Sequence, residues 1–96
     1  MQNVYRKTEQ LLKLFPQLKD KELIEKITQA VQTIQSEELQ ELVRLKYFEN
    51  YSLEEISRIH GVSYRATSKR KMTAIKLITQ ELFPDELARM LMKNEV

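Results

Sequence analysis

The chain has 96 residues, enough for one compact unit and too few for a separate catalytic domain beside it. It contains no cysteine and one histidine, which excludes disulfides, thiolate zinc sites, cysteine nucleophiles and multi-histidine metal centres, and makes a reducing, cytoplasmic compartment the simplest setting. The net charge of +2 divides unevenly: from Ile56 to Gln80 there is no acidic residue, while Arg58, Arg65, Lys69, Arg70, Lys71 and Lys76 give that stretch +6 and leave −4 for the remainder. Met1 to Lys7 lacks the apolar run of a signal peptide, and nowhere do 18 consecutive apolar residues suggest a membrane span. One glycine, two prolines and abundant Leu, Glu, Lys and Gln predict an all-α fold.

The first helix is expected from Asn3 to Phe15, with Val4, Thr8, Leu11, Leu12 and Phe15 on one face. Pro16 ends it, because a residue before proline resists helical angles. Asp20 is a fitting N-cap for a second helix that carries Leu23, Ile24, Ile27, Val31 and Ile34 on its apolar side. Ser36 caps a third, where Glu37 and Glu38 complement the positive end of the dipole and Leu39, Leu42, Val43 and Tyr47 face inward. Asn50-Tyr51-Ser52 breaks the period. Ser52 and Glu55 then stand at capping-box spacing, opening a fourth helix from Leu53 to His60 that buries Ile56 and Ile59 at least partly and stops at Gly61. Ser63 caps a fifth helix, Tyr64 to about Leu82, whose first half is basic and whose second half carries Ala74, Ile75, Ile78 and Leu82. After Phe83-Pro84, Asp85 is expected to cap a short sixth helix over residues 85–93. Leu87, Met90, Leu91 and Met92 give it an apolar edge, with core packing the simpler reading and a homo-oligomer contact the other. Asn94-Glu95-Val96 is expected to fray.

The informative stretch is Leu53 to Thr67. A DNA-reading helix-turn-helix needs a short support helix, a tight turn and a second helix whose N-terminal half faces the major groove. The chain spends its only glycine at that turn, sets the small Ser57 where the helices cross, and anchors the turn with Ile56 and Val62. An ordinary helical hairpin satisfies the same pattern, but the acid-free basic helix that follows is what a polyanion requires. His60 falls on a usually apolar inward position, where an imidazole packed at the helix end is the simplest reading. Glu37-Glu38 and Glu54-Glu55 are better explained as first-turn charges than as acid–base pairs. With no phosphate loop, nucleophile motif or metal cluster, neither an enzyme nor a cofactor is expected.

Leu42 to Ile78, with Leu45-Lys46-Tyr47-Phe48-Glu49, Ser52-Leu53-Glu54-Glu55-Ile56, Gly61-Val62-Ser63 and Ala74, resembles region 4 of sigma-70-family factors over 37 of the 96 residues. Upstream, Arg6-Lys7-Thr8-Glu9-Gln10-Leu11-Leu12 and Phe15-Pro16-Gln17-Leu18-Lys19 are similar to the N-terminal segment of ArpU/RinA-type phage and prophage regulators. The resemblance implies sequence-specific activation of late phage genes in a bacterial host; double-stranded DNA is the expected partner, and RNA polymerase is a further candidate. Thr67 and Arg70 or Lys71 depart from the pattern, since most region-4-like motifs include a larger apolar residue among those positions, so the first turns of the fifth helix are expected to lean on Ala66, Ala74 and Ile75.

The expected organisation is a single domain over 1–96, made of an N-terminal helical pair (1–35), a region 4-like helix-turn-helix unit (36–82) and the C-terminal helix. Ser63, Tyr64, Arg65, Ser68 and Lys69 are expected to face the groove, and Arg70, Lys71 and Lys76 to hold the backbone. Two other readings fit the same residues: the DNA-recognition subunit of a phage terminase, which assembles into a ring, and a region 4 mimic that binds RNA polymerase without touching DNA.

Overall fold

The computed structural model describes residues 3–94 and contains six α-helices, with no strand among the described residues. Helix α1 spans Val4–Leu14, followed by a 3-10 turn at Phe15–Gln17 where Pro16 interrupts the ladder. Asn3 lies outside α1 as its N-cap, its Oδ1 accepting from the Tyr5 amide at 2.7 Å. Helix α2 is Lys21–Gln32 with Asp20 as cap, and α3 is Glu37–Val43 with Ser36 as cap. Helix α4 is Leu53–His60, α5 is Tyr64–Leu82 and α6 is Pro84–Asn94. Proline at N1 starts α6 one residue earlier than expected, since its fixed φ and missing N–H suit that position, and Asp85 sits inside the first turn instead of capping it. Of the segment expected to fray, Asn94 ends α6, and Glu95 and Val96 lie outside the described residues.

Between α3 and the break at Asn50 the helix widens into a π-helical stretch, Arg44–Phe48. The Glu49 amide donates to the Arg44 carbonyl at 2.9 Å, five residues back, and Asn50 takes a left-handed φ of 62° to turn the chain out. The extra residue lets Leu45 and Tyr47 both be buried, each in a different apolar cluster.

The larger cluster joins Leu12 of α1, Ile27, Ala30 and Val31 of α2, Val43 of α3, Tyr47, and Ala74, Ile75 and Ile78 of α5. Phe15 and Phe48 stack at its edge with ring centroids 4.1 Å apart. A smaller cluster of Leu42, Leu45 and Ile56, flanked by Tyr51 and Leu53, seats α4. Helix α5 packs against each of the other five α-helices. Where it crosses α1, Thr79 Oγ1 lies 2.7 Å from both Thr8 Oγ1 and the Ile75 carbonyl, and Thr8 Oγ1 lies 3.2 Å from the Val4 carbonyl. The two fully buried hydroxyls therefore satisfy one another and the backbone.

Candidate nucleic-acid interface

The turn between α4 and α5 is built from local chemistry at both ends. The Ser52 hydroxyl accepts from the Glu55 amide at 3.1 Å while the Glu55 carboxylate accepts from the Ser52 amide at 3.0 Å, closing a capping box on α4. Hydrogen bonding to the Glu55 carboxyl by the Ser52 backbone amide, and then by the Ser52 side chain, holds that carboxyl below its ordinary value. Gly61 ends α4 at φ 66°, and the Val62 amide donates to the Ser57 carbonyl at 3.0 Å. Ser63 then caps α5, its hydroxyl accepting from the Ala66 amide at 3.0 Å. Ser57, buried at the crossing, donates its hydroxyl back to the Glu54 carbonyl at 2.7 Å.

Of the two residues expected to be at least partly buried, Ile56 is fully buried and Ile59 is 53% exposed. Helix α4 has only two turns and packs on α5 and the π-helical stretch; Ile59 lies about 60° around the helix from Ile56 and clears both. His60 does pack inward. Its Nε2 lies 2.9 Å from Glu41 Oε1, and with that nitrogen donating, Nδ1 is buried without a partner. Thr67 compensates for its size by complete burial, its hydroxyl donating to the Ser63 carbonyl at 3.0 Å, so α5 docks through Thr67, Ala74 and Ile75 while Ala66 is half-buried.

This docking fixes the rotation of α5. Thr67, Ala74, Ile75, Ile78 and Thr79 are buried, and the opposite side exposes Arg65, Lys69, Met72, Thr73, Lys76 and Gln80. At about 100° per residue, Arg65, Lys69 and Lys76 fall within about 40° of one another and span about 16 Å of helix axis. None of the three pairs with an acid among the described residues. Ser63 and Tyr64 are exposed at the start of the helix, Tyr64 by 54%, and Ser68 is half-buried beside the stripe.

Arg70 and Lys71 do not join them, contrary to the expected grouping with Lys76. Each lies around a flank of α5, where a neighbouring helix supplies a carboxylate. Arg70 meets Glu38 of α3 at 2.9 Å, and Lys71 meets Glu9 of α1 at 3.0 Å with its side chain only 18% exposed. Glu9 also accepts from the Tyr47 hydroxyl at 2.6 Å. Burial and the neighbouring Glu9 charge push the Tyr47 hydroxyl far above the ordinary tyrosine value, so it remains a donor. Sequence reading missed this Glu9–Tyr47–Lys71 cluster because its members are separated by 38 and 24 residues and meet only through tertiary packing. Met72 and Thr73 were also missed, although their spacing from Lys69 and Lys76 places them on the same stripe.

The exposed apolar side chains of α6 are Leu91 and Met92, at 47% and 68%; only Leu87 of the expected apolar edge is buried, because α6 is covered along one side alone. Among the described residues no group of three or more His, Cys, Asp or Glu is placed to hold a metal ion, and no helix is long and apolar enough to cross a membrane. Compared with protein-family models, curated proteins and solved structures, the chain finds no match in any of the three.

Proposed function

We propose that the protein is a non-enzymatic transcriptional regulator, acting in a bacterial cytoplasm, that binds double-stranded DNA by laying the first half of α5 in the major groove. The observation that carries this reading is the stripe of Arg65, Lys69 and Lys76, exposed, without acidic partners among the described residues, and turned away from the core. A groove about 12 Å wide admits a helix bearing such a face, and an arginine in its first turn is suited to a bidentate contact with the guanine edge. Arg65 takes that role. Lys69, one turn on, reaches a base or a phosphate, and Lys76, about 16 Å from Arg65 along the axis, holds the backbone. Ser63 and Tyr64 flank the entry. The resemblance to sigma region 4 and to ArpU/RinA-type regulators supports the same reading and adds its finer content: activation of late phage or prophage genes, with RNA polymerase as a partner.

The test is titration of the protein and its Arg65→Ala and Lys76→Ala variants against a selected site and a scrambled duplex at several salt concentrations. Arg65→Ala should weaken the selected site by about 1–3 kcal/mol and the scrambled duplex much less. Lys76→Ala should weaken both alike and reduce the slope of log K against log salt by about 0.9. Absence of DNA binding by the unmodified protein at low salt, with capture of RNA polymerase instead, would replace this reading with that of a polymerase-binding mimic. A stable ring in native mass spectrometry would favour the terminase subunit.

A further inference from the structure

Helix α1 borders the stripe on one side. Asn3, Tyr5, Arg6 and Glu9 form one wall of a surface groove whose other wall is Met72 and Ile75 of α5. Met72 belongs to both features: it lines the groove, and it stands on the stripe between Lys69 and Lys76. Lys76 reaches across the same boundary, with its Nζ 5.9 Å from the centre of the Tyr5 ring. The first turn of α1 and the exposed face of α5 are therefore one continuous surface.

On that surface Arg6 is exposed and pairs with no acid among the described residues. The only carboxylate among the described residues lining the groove, Glu9, is already engaged by Lys71 and Tyr47, so its charge is matched within the protein. The Tyr5 and Arg6 amides are also taken, both by the Asn3 side chain, which leaves the guanidinium as the group that can reach outward. A planar fork of donors beside a row of lysines is suited to phosphate oxygens.

We infer that α1 supplies a second anchor on the same duplex, with Arg6 holding a phosphate of the strand that flanks the groove entered by α5; this rests on the DNA-binding reading above. The N-terminal helix then has a binding role besides its packing role, and the two halves of the chain grip the DNA together.

The experiment compares Arg6→Gln, Arg6→Lys and Lys26→Gln with the unmodified protein on a scrambled duplex across a salt series. Lys26 is exposed on α2, in a different groove from the stripe, lined by Gln29, Ala30, Glu81 and Leu82, so its variant controls for the loss of one positive charge anywhere. Arg6→Gln is expected to flatten the salt slope by about 0.9, equivalent to roughly eightfold weaker binding at 0.1 M salt. Arg6→Lys should retain most of the slope, and Lys26→Gln should leave it unchanged. Equal effects of Arg6→Gln and Lys26→Gln, in a protein that still binds and still responds to Arg65→Ala, would overturn the α1 anchor and leave the α5 reading standing. Absence of binding by the unmodified protein would overturn both.

Discussion

Lys71 and Lys76 stand five residues apart on α5, yet the first meets a carboxylate at 3.0 Å and the second is exposed. Charge counting along the chain treats them alike, because it sees the +6 stretch and not the carboxylates that other helices bring to its flanks. The distinction gives a measurable separation. Lys71→Ala should lower stability to urea by about 1–2 kcal/mol, between the worth of an exposed ion pair and that of a hydrogen bond to a charged group, and on the proposed reading should leave the salt slope of DNA binding unchanged. Its partner gives a pH dependence. Burial pushes the Glu9 carboxyl up, but hydrogen bonds from Tyr47 and Lys71 and the charges of Lys71 and Lys13 outweigh it, holding the group below its ordinary value of 4.5. A carboxyl depressed on folding stabilises the protein above its unfolded value, and that contribution drains away as the pH falls below 4.5 and through the folded value. Denaturation midpoints should therefore drop on acidification across that window. Glu9→Gln should start lower at pH 7 and lose less; an unchanged acid profile in that variant would remove Glu9 from the account.

Among the elements, α4 owes its position to a small cluster and to two termini. Ile56 is fully buried between Leu42 and Leu45, so Ile56→Ala should cost about 2–5 kcal/mol, and a loss below half a kcal/mol would mean that α4 is seated by its caps alone. At the other end Gly61 has open space where a Cβ would stand, so Gly61→Ala meets only the backbone penalty of its φ of 66°, about 1 kcal/mol by chemical denaturation. The caps at Asp20, Ser36, Ser52 and Ser63 were legible in the sequence because a cap and its helix are local. The π-helical stretch was not. Its extra residue answers to two clusters made by distant parts of the chain, and no spacing within Arg44–Phe48 announces it. The difference between Ile56 and Ile59 was not legible for a related reason: periodicity identifies an apolar residue near the inner face but not how far the covering helices extend.

At the scale of the molecule, α5 is the helix on which the others lean, with Ile75 and Ile78 at 1% and 0% exposure in the larger cluster. Packing centred on one element predicts unfolding in a single transition. Far-ultraviolet circular dichroism and tyrosine fluorescence should give coincident urea curves, and Ile78→Ala should shift both together by about 2–5 kcal/mol. Early loss of the fluorescence change alone would mean that the surroundings of the four tyrosines come apart before the helices do.

The rotation of α5 also divides its residues into two sets with little overlap. Positions 65, 69, 72, 73 and 76 face outward, while 67, 74, 75, 78 and 79 hold the core. Substitutions by helix-compatible residues in the first set leave the packing of the second untouched, which is the condition under which a lineage, or a library varied at 65, 69, 72 and 73, can change what the outer face meets while keeping the fold. The helix is a permanent support with an interchangeable face.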